Sequence, residues 1–146
     1  MQFSRDGFTI VSQLSESSEI KFLDDYLDLE KMRRDAFEYS FNYVDSEIRN
    51  LKIAPNILLV LVENAIKHSA DPTDQSYIDV NIQVTNGFVH YTVVNTIPQE
   101  QYTKAEKGGL GLVNLQRRLQ LMYGTMFYFN SSTDKYEYIA TLKLPL

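Results

Sequence analysis

From Ile20 to about Arg34, Ile20, Leu23 and Leu27 fall on one face and Phe22, Tyr26 and Leu29 widen it, which predicts an amphipathic helix. Ser15, Glu16 and Glu19 form a capped, acidic start to that helix, where exposed amides and the dipole favour oxygen and negative charge. The period then changes. Phe37, Tyr39, Phe41 and Tyr43 alternate with Glu38, Ser40 and Asn42, the pattern of a strand with one wet face. Ile48, Leu51 and Ile53 suggest a short extended piece before Pro55.

Pro55 suits the first turn of a second long helix, where its missing donor is not needed. That helix, NILLVLVENAIKHS, is apolar almost all round from Ile57 to Val62, so it should be buried, and its last turns become polar abruptly. Residues 71–76 are turn-rich. YIDVNIQV and FVHYTVV read as two strands joined through Thr85-Asn86-Gly87, with Asn-Gly a strong hairpin signal. Residues 96–109 are polar and end in Lys107-Gly108-Gly109, the composition of a mobile loop. LVNLQRRLQLMYG predicts an amphipathic helix with Leu112, Leu115, Leu119 and Met122 inward and Gly124 as its stop. TMFYFNS and YEYIATLKL close the chain as a strand pair around Ser132-Thr133-Asp134. This order fits an α+β protein, a two-layer sandwich with a sheet packed under helices.

Composition narrows the function classes. The chain has 146 residues, enough for one domain, with 44% hydrophobic and 23% charged residues. Lys plus Arg is 14 against 19 for Asp plus Glu, a net charge of −5 that argues against nucleic acid as a partner. Cysteine is absent, which excludes disulfides, thiol catalysis and zinc-cysteine sites. His68 and His90 are the only histidines, too few for a structural metal cluster. No signal peptide or membrane-spanning stretch is evident, which fits a soluble domain in a reducing compartment.

Two segments can carry chemistry. In Glu63-Asn64-Ala65-Ile66-Lys67-His68, Glu63/Lys67 and Asn64/His68 are i,i+4 pairs, so four polar groups stack at one helix end. A solvated last turn is the plain explanation, but Asn64 follows directly on a buried run and its amide needs a partner, for which a ligand or metal-bound water would serve. The second segment, Lys107-Gly108-Gly109-Leu110-Gly111-Leu112, leads glycines into a helix start, a plausible phosphate cradle or simply a flexible loop. It is not a P-loop, since no Gly-Lys-Ser/Thr follows at the required spacing.

In this order the segments resemble the ATP-binding catalytic domain of a sensor histidine kinase of the LytS/YehU type, from about Leu14 to Leu146. ENAIKHS is similar to that family's N-box, and GGLGLVNLQRRLQLMYG to its second glycine box and following helix. IKFLDDYLDLEKMR resembles the segment that precedes the domain, and LKLPL its last strand. The resemblance implies a Bergerat-type sandwich, as in gyrase and MutL ATPase domains, with a mostly antiparallel mixed sheet under helices. Residues 15–146 would form this domain, and 1–14 a leader strand or linker from an upstream helical segment.

By the same resemblance Asn64 ligates Mg²⁺, a hard ion that prefers oxygen donors. Lys67 and His68 lie near the phosphates, Gly109 and Gly111 join lid to helix, Asn114 and Arg118 lie on the helix that follows, and Glu63 is the acid beside the asparagine. Asn95 stands where the first glycine box, Asp-x-Gly-x-Gly, has the aspartate that accepts from the adenine amino group. Here that stretch is Asn95-Thr96-Ile97-Pro98-Gln99, and Glu137-Tyr138 replaces the usual Gly-Thr of the final strand. A charged Asn95→Asp acceptor is expected to tighten ATP binding. The Pro-His-Phe phosphoacceptor segment is missing, so the acceptor histidine would lie upstream. Gyrase-like members carry a hydrolytic glutamate four residues before the asparagine; Val60 stands there, which favours phosphoryl transfer to histidine over hydrolysis.

The implied function is therefore a catalytic fragment of a protein-histidine kinase that binds ATP and Mg²⁺. Its implied partners are the upstream phosphoacceptor segment of a homodimer and a response regulator, with no nucleic acid. The implied location is cytoplasmic, with the full-length protein anchored in the inner membrane. The alternative from the altered first glycine box is a degenerate nucleotide-binding or protein-contact module of the same fold.

Overall fold

The computed structural model describes residues 16–49, 51, 56–69, 75–98 and 109–146. In chain order these form α1 (Glu16–Arg33), β1 (Phe37–Asn42), α2 (Asp45–Ile48), α3 (Ile57–Ser69), β2 (Ser76–Thr85), β3 (Phe88–Thr96), α4 (Gly109–Tyr123), β4 (Tyr128–Thr133) and β5 (Glu137–Pro145). The five strands make one mixed sheet in the order β1-β2-β3-β5-β4. Only β1 runs parallel to its neighbour, β2, because the helical crossover through α2 and α3 separates them; the other pairs are antiparallel. The α+β sandwich expected from the sequence is the fold observed.

Along β2, β3 and β5 every second residue is buried. Ile78, Val80 and Ile82, then Val89, Tyr91 and Val93, then Tyr138, Ala140, Leu142 and Leu144 form the face under the helices. Leu58, Leu61, Val62 and Ala65 of α3 and Leu112, Leu115 and Leu119 of α4 complete the core. Each such side chain removed from water contributes about 1.5–3 kcal/mol before entropy is counted. The β2–β3 turn is Asn86-Gly87, with φ of 52° and 81°. Two left-handed residues match the right-handed twist of a tight hairpin, and Asn-Gly adopts them at least cost. Gly124, at φ 62°, ends α4 as expected.

Three local expectations change. Residues 45–48 are helical, not extended. Ile48 and Leu51 are both buried at a spacing of one helical turn, and Arg49 pairs with Asp45 at 2.6 Å, so the helical period wins. The closing strand pair turns later, at Asp134–Tyr136. There the Asp134 carboxylate accepts from the amides of Tyr136 (2.7 Å) and Glu137 (2.8 Å). Tyr43 lies past the end of β1, exposed and edge-on to Phe41. The Ser15 cap, the role of Pro55, the 1–14 leader and the glycine-preceding loop at 99–108 lie outside the described residues.

α1 holds α3 by both ends. The Glu19 carboxylate accepts from the Asn56 amide at 2.6 Å, just before α3 begins. At the other end Arg34 donates to the Ser69 carbonyl (2.8 Å), the Ser69 hydroxyl (3.3 Å) and the Ser76 hydroxyl (2.7 Å). Its guanidinium also pairs with Glu30 at 3.5 Å and lies 4.2 Å over the Phe37 ring. An acid at the N-terminus and a base at the C-terminus both complement the α3 dipole. The spans agree, since Glu19 to Arg34 covers about 22 Å of helix and α3 about 20 Å. Burial raises the Glu19 pKa, while the Asn56 amide and Arg118 oppose that rise.

Candidate functional site

α3 packs on β3 and β2, and His68 near its polar end reaches Tyr138 of β5. Leu58, Leu61, Val62, Ala65 and Ser69 are buried, which fixes the rotation of the helix. Asn64 and His68, four residues apart, are half-buried along one edge, and Glu63 and Lys67 are exposed. The Glu63 charge is felt by Tyr26 of α1, whose pKa it helps raise after the larger effect of burial. No ion pair joins Glu63 to Lys67 among the described residues. The His68 imidazole stacks on Tyr138 of β5, with centroids 6.4 Å apart and planes 25° from parallel. Burial, then the neighbouring Lys67 charge, lowers the His68 pKa and favours the neutral ring.

Asn95 is the inward residue near the end of β3, fully buried, with Tyr138 opposite it on β5 and Ile78 opposite it on β2. Its Nδ2 donates to the Thr96 carbonyl at 2.9 Å, while its Oδ1 is sealed from solvent and has no hydrogen-bond partner among the described residues. An unmade hydrogen bond of this kind costs about 1–3 kcal/mol. Ile97, standing where the first of those glycines was expected, and the following Pro98 are buried beside it; Gln99, at the second glycine position, lies outside the described residues. His68, Tyr138 and Asn95 thus line one corner between α3 and the sheet.

The glycine-led helix is α4. Gly109 is its first residue, and Gly111 is exposed, with no atom within 4 Å of where a side chain would begin. Nothing among the described residues requires glycine at Gly111. Asn114 is exposed, and Arg118 is half-buried with its charge felt by Glu19 of α1. The structure therefore brings His68 to Tyr138, the cross-strand partner of Asn95, with Asn64 one turn earlier along the same edge of α3, whereas the charges of Glu63 and Arg118 are felt by Tyr26 and Glu19 of α1. Sequence reasoning missed the Arg34 junction. Its one legible signal was Glu30 four residues before Arg34, since the two serines are far off in sequence.

No family model matches the chain. It is 28% identical over 135 residues to the Sensor protein LytS of Streptococcus agalactiae serotype V, which covers 84% of this chain. Against the Sensor protein LytS of Enterococcus faecalis the identity is 30% over 122 residues and 75% of this chain. The chain spans only 23% and 20% of the lengths of those two relatives. Among solved structures, the catalytic domain of histidine kinase ThkA superposes with a TM-score of 0.62 at 18% identity, covering 99% of this chain and 97% of that one. ThkA in complex with the response regulator TrrA gives 0.65 at 16% identity, over 90% of this chain and 40% of that one. The histidine kinase domain of the Erythrobacter litoralis blue-light activated kinase gives 0.60 at 16% identity, over 86% and 60%. In sequence the chain is thus a relative of one region of the LytS sensor proteins, and its fold is that of histidine kinase catalytic domains.

Proposed function

We propose that this chain binds Mg-ATP in the corner between α3, α4 and the sheet, as the catalytic domain of a sensor histidine kinase. The carrying observation is the buried, unpartnered Oδ1 of Asn95. Adenine presents an amino hydrogen to such an acceptor, whereas guanine would present a second acceptor at the same place. Asn64 offers one hard oxygen donor at the edge of α3. Among the described residues no three His, Asp or Glu side chains gather into a metal site, so Mg²⁺ would take its other positions from phosphate and water. Bound there, the ion would neutralise phosphate charge.

Lys67 on the exposed last turn would offset charge further, and the open start of α4 at Gly109 and Gly111 would receive phosphate oxygens. Asn114 and Arg118 would extend that wall, and Glu63 would sit at its rim as an acid turned toward α1. The reaction breaks the bond between the γ-phosphorus and its bridging oxygen and forms a phosphorus–nitrogen bond on a histidine. ADP leaves, and the imidazole proton passes to solvent. The acceptor histidine would lie on a helical dimerisation segment, since neither His68 nor His90 has the Pro-His-Phe context. A response regulator would then receive the group. We assign the domain to the cytoplasmic part of a homodimeric protein anchored in the inner membrane; among the described residues no helix is long and apolar enough to cross one.

Calorimetry with ATP and Mg²⁺ tests the binding step: heat with wild type and its loss in Asn64→Ala are expected. Radiolabelled ATP tests the transfer, with acid-labile, alkali-stable label appearing only when the helical acceptor is supplied. A second reading is favoured by buried Ile97 and Pro98 where an open, glycine-lined pocket was expected. On that reading the fold is retained as a protein-contact module. Absence of heat with ATP across a millimolar range would select it.

A further inference from the structure

We infer that the edge of β2 beyond the end of β1 is a docking groove for this chain's own residues Phe8-Thr9-Ile10-Val11-Ser12, which add to the sheet antiparallel to β2. The inference goes beyond nucleotide binding and does not depend on it. β1 pairs with β2 only as far as Asn42 and Asn81, and the chain then turns away into α2. β2 runs on to Thr85. Along residues 82–85 β3 covers one side, and among the described residues no strand pairs with the other. The two-residue turn makes Thr85 and Phe88 the pair that exchanges both backbone bonds, and alternation gives the next such pair to Gln83 and His90. Val84 therefore directs its N–H and C=O away from β3, into a groove of about 400 Å³. Among the described residues no backbone hydrogen bond reaches Val84 from that side. Tyr43, Val44 and Glu47 form the facing wall, and the first two are exposed. Open backbone groups beside apolar side chains are a template for an extended segment.

The occupant follows from where α1 begins. Lys31 pairs with Glu38, and the Tyr39 hydroxyl donates to Asp24 and Asp28, so α1 runs antiparallel to β1. From Tyr39 to Asn42 is about 10 Å of strand, and about 10 Å back along α1 from the turn of Asp24 and Asp28 reaches Glu19. The start of α1 at Glu16 thus stands past the end of β1, at the mouth of the groove. The chain from Ser12 to Glu16 spans up to about 13 Å, enough to cross from the helix layer to the sheet edge. Entering α1 from that edge requires the segment to run against β2, with Phe8 toward Thr85. Phe, Thr, Ile and Val are strand formers, and alternation sets Phe8 and Ile10 on the covered side beside Ile82 and Val84. A second copy of the chain would compete poorly, because a tethered segment acts at an effective concentration on the order of millimolar.

Amide hydrogen exchange on the full chain, read by NMR, tests the docking. In wild type the Val84 amide should exchange at least about tenfold more slowly than an open amide, because it is bonded to the added segment. Ile10→Pro breaks extended pairing, so the Val84 amide should lose that protection while Val93, in the central strand, keeps its own. Ile10→Asp keeps the backbone donor and places a charge on the covered side, and it should give the same loss. A Val84 amide that exchanges freely in wild type would overturn the inference. Protection that survives both variants would overturn it as well by assigning the edge to another occupant, and dependence of that protection on protein concentration would identify a second copy.

Discussion

Two polar centres are buried in this domain, and they are finished to different degrees. At the junction of α1, α3 and β2, Arg34 spends its guanidinium on Glu30, Ser69 and Ser76 and rests on Phe37. Near the end of β3, Asn95 leaves its carbonyl without a partner in a site fully closed to water. A polar group saturated by its own chain stabilises the fold, while one left open costs stability. On the proposed reading, the contrast separates a structural centre from a binding one. It also explains why α3 carries both: its C-terminal carbonyl is tied down by Arg34 while its Asn64 and His68 edge stays available.

The largest effect that could break this comparison is Arg34→Met. It should cost about 3 kcal/mol, because Glu30 and two serines lose a shared partner in a nearly closed site. In a thermal melt that is a fall of roughly 10 °C for a domain of this size. A melting point unchanged by Arg34→Met would show that the junction is ornamental. Asn95→Leu should behave in the opposite way. It removes an unsatisfied carbonyl and one modest hydrogen bond, so stability should change by no more than about 1 kcal/mol, while ATP affinity drops below detection in calorimetry. Loss of folding with unaltered affinity in the surviving protein would invert the assignment.

Asn95→Asp sharpens the same point, and here the structure reverses an expectation drawn from charge alone. A carboxylate would be a stronger acceptor for an amino group. Because the present amide also donates to the Thr96 carbonyl, the ionised replacement would set two acceptors face to face in a site without water. Lower thermal stability and no tighter ATP binding are expected, and chemical denaturation with calorimetry would register both. The smallest effect belongs to His68. Its folded pKa lies below the unfolded value, so the unfolded chain binds the extra proton first as pH falls beneath about 6.5. The stabilisation from neutral His68 is therefore complete above that pH and declines below it. Melts of wild type and His68→Gln should converge as the buffer is taken from pH 7 to 5, and parallel curves would rule the histidine out.

Much of the fold was legible because its signals are local. The inward residues of α1, α3 and α4 keep helical spacing, the β2 and β3 residues alternate, and Asn86-Gly87 names its own turn. The helical assignment of 45–48 was lost because a four-residue helix has too few positions to declare a period. Candidate chemistry was legible in the same way for Asn64 and His68, which are neighbours on one helix. Asn95 and Tyr138 were visible from the chain only as departures from a family pattern.

By itself, then, the sequence determined the element order, the apolar faces and the hairpin, since each depends on residues within a few positions of one another. It also carried the family resemblance, which is a matter of residue order. Only the tertiary structure decided that Tyr138 opposes Asn95 across two strands, that His68 stacks on it, and that Arg34 reaches Ser69 and Ser76. Those pairings are set by strand register and by how helices seat on a sheet. The same packing decides whether a buried polar atom finds a partner. Residue type fixes how many hydrogen bonds Asn95 can make; the fold fixes that one of them is still open.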